Sequence, residues 1–281
     1  MSVKKEDSGR RSIEVAVEVP GTPEQVWEAI ATGPGISSWF VPTEVVPGQS
    51  GSITCHFGGM DSKATVTEWD PPRRFAATSA GSTPGGPPLA TEWTVEARSG
   101  GTCIVRVVHS LFASTDDWDD ELTGTESGWP RFFRVLSLYL AYFRGQQYAT
   151  FHAMGMAATP EPQAWQTLTG MLGLADATPG ERRSSGGNAP ALAGIVERPA
   201  EGKALQALMR IDEPGSGLLG VGAFPMGGGV YLTVNFYLFG EGAADAVARE
   251  APLWQAWMQH NFPIGAMPME CTPDERLTKE L

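Results

Sequence analysis

Cysteine is scarce and unpatterned in this chain. Cys55, Cys103 and Cys271 form an odd set with no CxxC spacing, which excludes a disulfide framework or a thiolate metal knuckle. Cys55 and Cys103 alternate with apolar strand residues and read as buried free thiols. Histidine is equally thin. His56, His109, His152 and His260 lie far apart, with no HExxH or other paired ligand spacing, so no metal site and no cofactor are expected. GxSxG, P-loop and GxGxxG motifs are all missing. The run Gly227-Gly228-Gly229 lacks the Lys-Ser/Thr of a phosphate loop and reads as a turn. The acidic stretch Asp116–Glu121 lacks the Gly and Glu spacing of a calcium loop and reads as a solvated loop.

Positive charge is also in deficit, with 20 Lys+Arg against 32 Asp+Glu and a net charge of −12. Such a chain repels a phosphate backbone and an anionic membrane surface, so no nucleic-acid partner is expected. No uninterrupted apolar run approaches the roughly 20 residues that span a bilayer, so no membrane insertion is expected either. The first 11 residues carry no apolar stretch of signal-peptide type and read as a disordered leader; the simplest localisation is cytoplasmic.

What the chain has in quantity is apolar patterning, at 42% hydrophobic residues. Ile13, Val15, Val17 and Val19 alternate with Glu14, Ala16 and Glu18, the period of a half-buried strand. Thr22 and Gln25 have capping-box spacing around Pro23, which starts a helix carrying Val26, Trp27 and Ile30. Gly33-Pro34-Gly35 breaks it, and a second helical turn runs over Ile36–Phe40. Strands follow at Gly51–Phe57, Ser62–Trp69 and Arg74–Ser79, then a hairpin of Ala90–Arg98 and Thr102–Ser110. A long amphipathic helix closes this half over Glu126–Phe151. Trp129, Phe132, Phe133, Leu136, Tyr139, Leu140 and Phe143 share one side; Arg131, Arg134, Ser137, Ala141 and Arg144 share the other.

Beyond Met156 the pattern starts again. A short helix, Ala164–Leu174, precedes strand-like runs at Leu192–Glu197, Ala204–Ile211, Leu218–Phe224 and Val230–Phe239. A helix over Gly242–His260 then carries Leu253, Trp254 and Trp257 on one face. The expected class is α+β: a helix-grip unit at 12–156, a degenerate second helix-grip-like half at 160–264 lacking a starting strand, and a tail at 265–281. The alternative is that residues 160–281 extend the first unit into a single large domain.

The first half resembles the START-like (SRPBCC) helix-grip superfamily, and within it the family related to the activator of heat-shock-protein-90 ATPase. The resemblance rests on Val17-Glu-Val-Pro-Gly-Thr-Pro-Glu-Gln-Val-Trp27, Ser38-Trp39-Phe40 and Val66-Thr-Glu-Trp-Asp-Pro-Pro72. Gly101-Thr102 through His109-Ser110, and Gly128-Trp129-Pro130, complete it. It implies a curved antiparallel sheet around a long helix, with a hydrophobic cavity between them and a small hydrophobic ligand. Because the fold hosts carriers, receptors, cyclases and co-chaperones, it implies no single activity. The family name implies a chaperone as partner, but residues 1–11 supply no separate binding domain of the eukaryotic co-chaperone kind.

Strand parity names the residues that face the cavity. Trp93 and Val95 on one strand, and Val105, Val107 and His109 on the next, point inward; Phe57 does so from the Gly51–Phe57 strand, leaving His56 outside. Trp129, Phe132, Phe133 and Leu136 form the roof, with Trp39 and Phe40 at the mouth. Three readings follow. A carrier or sensor needs only this apolar lining. A cyclase- or hydrolase-like enzyme needs a titratable group within it, for which His109 is the candidate. An interaction module needs an apolar patch elsewhere, such as one around Trp118.

Overall fold

The computed structural model describes residues 3–57, 61–80, 86–113, 119–198, 205–226 and 229–264. Met60, Trp118, Cys271, the glycine run up to Gly228 and the 265–281 tail lie outside the described residues.

Two antiparallel sheets share one helix. The first sheet contains β1 (Lys4–Lys5), β2 (Arg10–Pro20), β3 (Thr43–Val46), β4 (Ser52–His56), β5 (Asp61–Asp70), β6 (Arg74–Ser79), β7 (Leu89–Arg98) and β8 (Thr102–Phe112). Its order is β1-β2-β8-β7-β6-β5-β4-β3. Between β2 and β3 lie α1 (Pro23–Ala31) and α2 (Gly33–Ser37). The capping box forms as the spacing predicts: Gln25 N donates to Thr22 Oγ1 at 3.4 Å, and Thr22 N donates to Gln25 Oε1 at 2.9 Å. The Trp39 indole, 1% exposed, donates to the Ala29 carbonyl at 2.9 Å and pins the turn after α2 against α1.

The leader is not disordered over its described part. Lys4 and Lys5 pair with Ser12 and Arg11 to form a sheet edge. Arg11 is buried, and it donates to Asp119 Oδ1 at 2.6 Å while Lys5 meets the same carboxylate at 2.7 Å. The charge density that suggests disorder is met by a counter-charge from 108 residues away in the chain.

The closing helix, α3, runs Asp119–Tyr142. It starts earlier than the sequence suggests, inside the stretch read as an acidic loop, and stops at Gly145, whose φ of +74° suits a residue without Cβ. The segment read as its last turns is instead a strand, β9 (Tyr148–Ala157), paired with β14 from Tyr148↔Phe239 to Ala157↔Val230. This is the starting strand that the second half was expected to lack, and hydrogen bonding places it ahead of the 156–160 boundary.

The second sheet adds β10 (Arg182–Ser184), β11 (Ala193–Glu197), β12 (Leu205–Glu213), β13 (Gly217–Met226) and β14 (Gly229–Phe239), in the order β10-β11-β12-β13-β14-β9. It is not continuous with the first sheet, so the chain carries two helix-grip halves. Helices α4 (Glu161–Met171) and α5 (Ala243–Asn261) cover one face, where Trp254 packs on Phe236 at 4.8 Å and Trp257 packs beside it. Leu253 does not join them: it is 52% exposed, because the buried stripe runs through Ala246, Glu250, Trp254 and Trp257 and leaves Leu253 at its edge.

The other face of the second sheet receives α3. Phe239 stacks on Phe143 at 4.4 Å and on Tyr139 at 5.7 Å, and Leu208, Leu218, Tyr237 and Phe239 join the same buried cluster as Val95, Val105 and Val107. The side of α3 read as solvent-facing is therefore partly covered. Arg134 donates to the Arg198 carbonyl at 3.1 Å and meets Glu197 at 3.5 Å, while Arg131 lies against β13.

Candidate functional site

A cavity of about 350 Å³ lies under the first half of α3, at the β4–β6 side of the first sheet. Its opening has a cause in side-chain size. Parity turns Ser62 and Ala64 of β5, and Ala77 and Ser79 of β6, toward α3, and these small groups leave unfilled the space that valines fill on β8. Ile30, Ile36, Ile53, Phe75, Leu89 and Thr91 complete the floor and walls.

The structure divides the residues expected to line the cavity. Trp39, Phe40, Phe57, Trp93, His109, Trp129 and Phe132 do line it. Val95, Val105, Val107, Phe133 and Leu136 do not. They face inward as parity requires, but α3 packs directly on the sheet at their level, leaving Val105, Val107 and Leu136 at 0% exposure. They belong to the buried core. His56 lies on the outer face, bonded through Nδ1 to Asp61 Oδ1 at 2.8 Å. Sequence reasoning missed the β5 and β6 contributions, although the alternation Phe75-Ala-Ala77-Thr-Ser79 carries the signal.

Aromatic rings frame the mouth. Phe40 stacks on Trp129 at 5.7 Å and meets Phe132 edge-on at 4.5 Å. Phe57, 43% exposed, closes against Phe40 at 5.9 Å. No Asp, Glu, Lys or Arg is among the described residues of the lining, so the wall is apolar apart from hydroxyls, the Cys55 thiol and His109. Burial pushes the Cys55 thiol up, against a hydrogen bond from Thr43, and so keeps it neutral.

His109 is the polar centre, and its proton can be placed by elimination. The Trp129 indole can only donate, and its Nε1 lies 2.7 Å from His109 Nε2, so Nε2 accepts. The proton then sits on Nδ1 and is donated to Thr91 Oγ1 at 3.0 Å. Burial holds the imidazole pKa down at about 4. A neutral ring with both nitrogens engaged has no free lone pair to take a substrate proton; it fixes Trp129 in the roof and leaves the Thr91 hydroxyl hydrogen to point elsewhere.

This buried ring sets a pH dependence. Its folded-state pKa lies below the ordinary 6.5, so the unfolded chain takes up the proton first. The stabilisation is complete above about pH 6.5 and is lost as pH falls toward about 4, on the order of 3 kcal/mol from this group alone. Urea unfolding at pH 7 and pH 4.5 should therefore show a steeper loss in the wild type than in His109→Gln. Equal losses would mean that the ring is not desolvated.

The family model for polyketide cyclase / dehydrase and lipid transport matches residues 10–138. The uncharacterized protein Rv1546 of Mycobacterium tuberculosis is 30% identical over 104 residues, which are 33% of this chain and 71% of that protein. Among solved structures, the di-domain ARO/CYC protein BexL of the BE-7585A biosynthetic pathway covers 90% of this chain and 97% of its own at 16% identity, with a TM-score of 0.42. The Aha1 dimer from Colwellia psychrerythraea covers 47% of this chain and 96% of its own at 21% identity, with a TM-score of 0.39. No helix of the described residues is long and apolar enough to cross a membrane. With its sheet wrapped on α3, its cavity beneath that helix and the family match over residues 10–138, the chain belongs to the START-like helix-grip superfamily.

Proposed function

We propose that this protein binds a small hydrophobic molecule in the cavity beneath α3, as a carrier or sensor. The observation that carries this reading is a lining of nineteen residues without a formal charge, centred on a histidine whose two nitrogens are both occupied by Trp129 and Thr91. A volume of about 350 Å³ suits a compact ring system or a short chain, and apolar contact supplies the affinity at about 25 cal/mol per Å² removed from water. The Thr91 hydroxyl and Ser62 offer one or two polar contacts to orient such a ligand.

The cyclase-like reading is favoured by the family's name and by the presence of His109 in the wall. It requires the Trp129–His109 bond to open when substrate enters, which would free Nε2 as a base.

Two measurements decide. Native mass spectrometry of the purified protein should show a co-purifying apolar species, and the neutral probe N-phenylnaphthylamine should brighten saturably on addition of protein. His109→Gln should leave that uptake within about twofold, since apolar contact dominates. Absence of both a bound species and probe uptake would sink the carrier reading. A loss of turnover on a cyclisable substrate of about a hundredfold in His109→Gln, with binding intact, would replace it with the enzyme.

A further inference from the structure

On the side of α3 away from the cavity, the seam between the two halves holds a cation without a counter-charge. Arg131 reaches across to β13, and a Cβ built on Gly222 would lie 2.6 Å from its Nη1; Gly220 lies beneath its Nη2 at 3.5 Å by the same measure. The two glycines leave the sheet bare of side chains at this point, and the guanidinium occupies the space. Among the described residues it has no carboxylate within ion-pair range. Glu197, a carboxylate of the second sheet, is shared by Arg134 and Arg210.

Beside it lies a second unsatisfied group. Thr233 is directly opposite Gly222 in the β13–β14 register, so its side chain shares that face. It is 6% exposed, and its Oγ1 has no hydrogen-bond partner. The same Gly222 position lies 3.4 Å from Thr233 Oγ1, which puts the hydroxyl and the guanidinium around one point. Asn235, opposite Gly220, and His152, opposite Asn235, extend the polar row across β9.

We infer that this seam is a second site, distinct from the apolar cavity, which takes a carboxylate group between Arg131 and Thr233. A guanidinium presents a planar fork of N–H donors that matches a planar two-oxygen anion, and the neighbouring hydroxyl donates to one of those oxygens. The desolvation that a lone guanidinium suffers here is offset once the anion is bound. Burial lowers the Arg131 pKa, with Tyr237 opposing, and burial raises Tyr237 to about 12. The phenol therefore stays neutral and supplies no counter-charge. Arg131 keeps part of its surface exposed.

Isotope-labelled acetate, titrated at constant ionic strength and followed by its NMR relaxation, tests the site. Wild-type protein should bind it saturably, Arg131→Gln should weaken binding about tenfold or more, and Thr233→Val about three- to tenfold. Ala77→Phe, which fills the apolar cavity from β6, should leave acetate binding unchanged. Absence of saturation in the wild type, or equal affinity in Arg131→Gln, overturns the inference. If Arg131→Gln does not fold, unchanged affinity in Thr233→Val overturns it instead. Inorganic phosphate binding where acetate does not would overturn the assignment to a carboxylate.

Discussion

Phe132→Asp is expected to abolish uptake of N-phenylnaphthylamine. Phe132 lines the cavity from α3 and meets Phe40 edge-on at 4.5 Å, so a carboxylate there stands in a wall of apolar and aromatic groups. An ionised group in such a setting is strongly penalised, and water drawn in to solvate it displaces an apolar guest. Binding should fall by about a hundredfold or more, which takes it below detection for a micromolar probe. Phe132 is only partly buried, so the fold should tolerate the change; circular dichroism checks this. Ala77→Phe offers a route without charge, since it fills the space opened by the small residue on β6. Full uptake in both variants would place the probe somewhere other than beneath α3.

Phe239→Ala should cost about 3–5 kcal/mol and should do so in one cooperative transition. Phe239 belongs to the second sheet and is 5% exposed, yet its ring stacks on Phe143 at 4.4 Å and on Tyr139 at 5.7 Å, both at the end of the first half. Removing it opens a hole at the junction of both sheets, so both should lose stability together. Guanidinium unfolding followed separately by far-UV dichroism and tryptophan fluorescence gives the answer. Two separated transitions, with only the later half shifted, would show that the seam does not couple the halves.

Much of this architecture was legible in the residues. The inward sets of β7 and β8 follow from alternation alone, and Trp93, Val105 and His109 fall where parity puts them, because one face of the sheet is buried along its length. The capping box at Thr22 needs only its spacing. Legibility ended where placement depends on two distant segments at once. Strand β9 was hidden because Tyr148, Phe151 and Ala153 also continue the spacing of the preceding helix; Gly145 was the local sign that the helix had stopped. Val95, Phe133 and Leu136 look like ligand contacts by parity, and only the closeness of α3 to the sheet makes them core. Where that packing opens into a cavity is decided by Ala64 and Ala77: alternation gives the face they share, but their small size marks an opening only once their strands are paired beneath α3. Arg131 and Arg134 have the pattern of a solvent face, and nothing local shows that a second sheet lies over them.

A helix clasped on two flanks has little spare surface. In an ordinary amphipathic helix a substitution on the water side is nearly free, so sequences drift there. In α3, Phe133 and Leu136 answer to one sheet while Leu138 and Tyr139 sit in the same buried cluster as residues of the other. Removal of everything beyond residue 147 would strip the cover from Tyr139 and Phe143 and leave a sticky flank on the remaining piece. The first half is thus bound to its companion through α3, and a trim on either side leaves part of that helix's apolar surface uncovered.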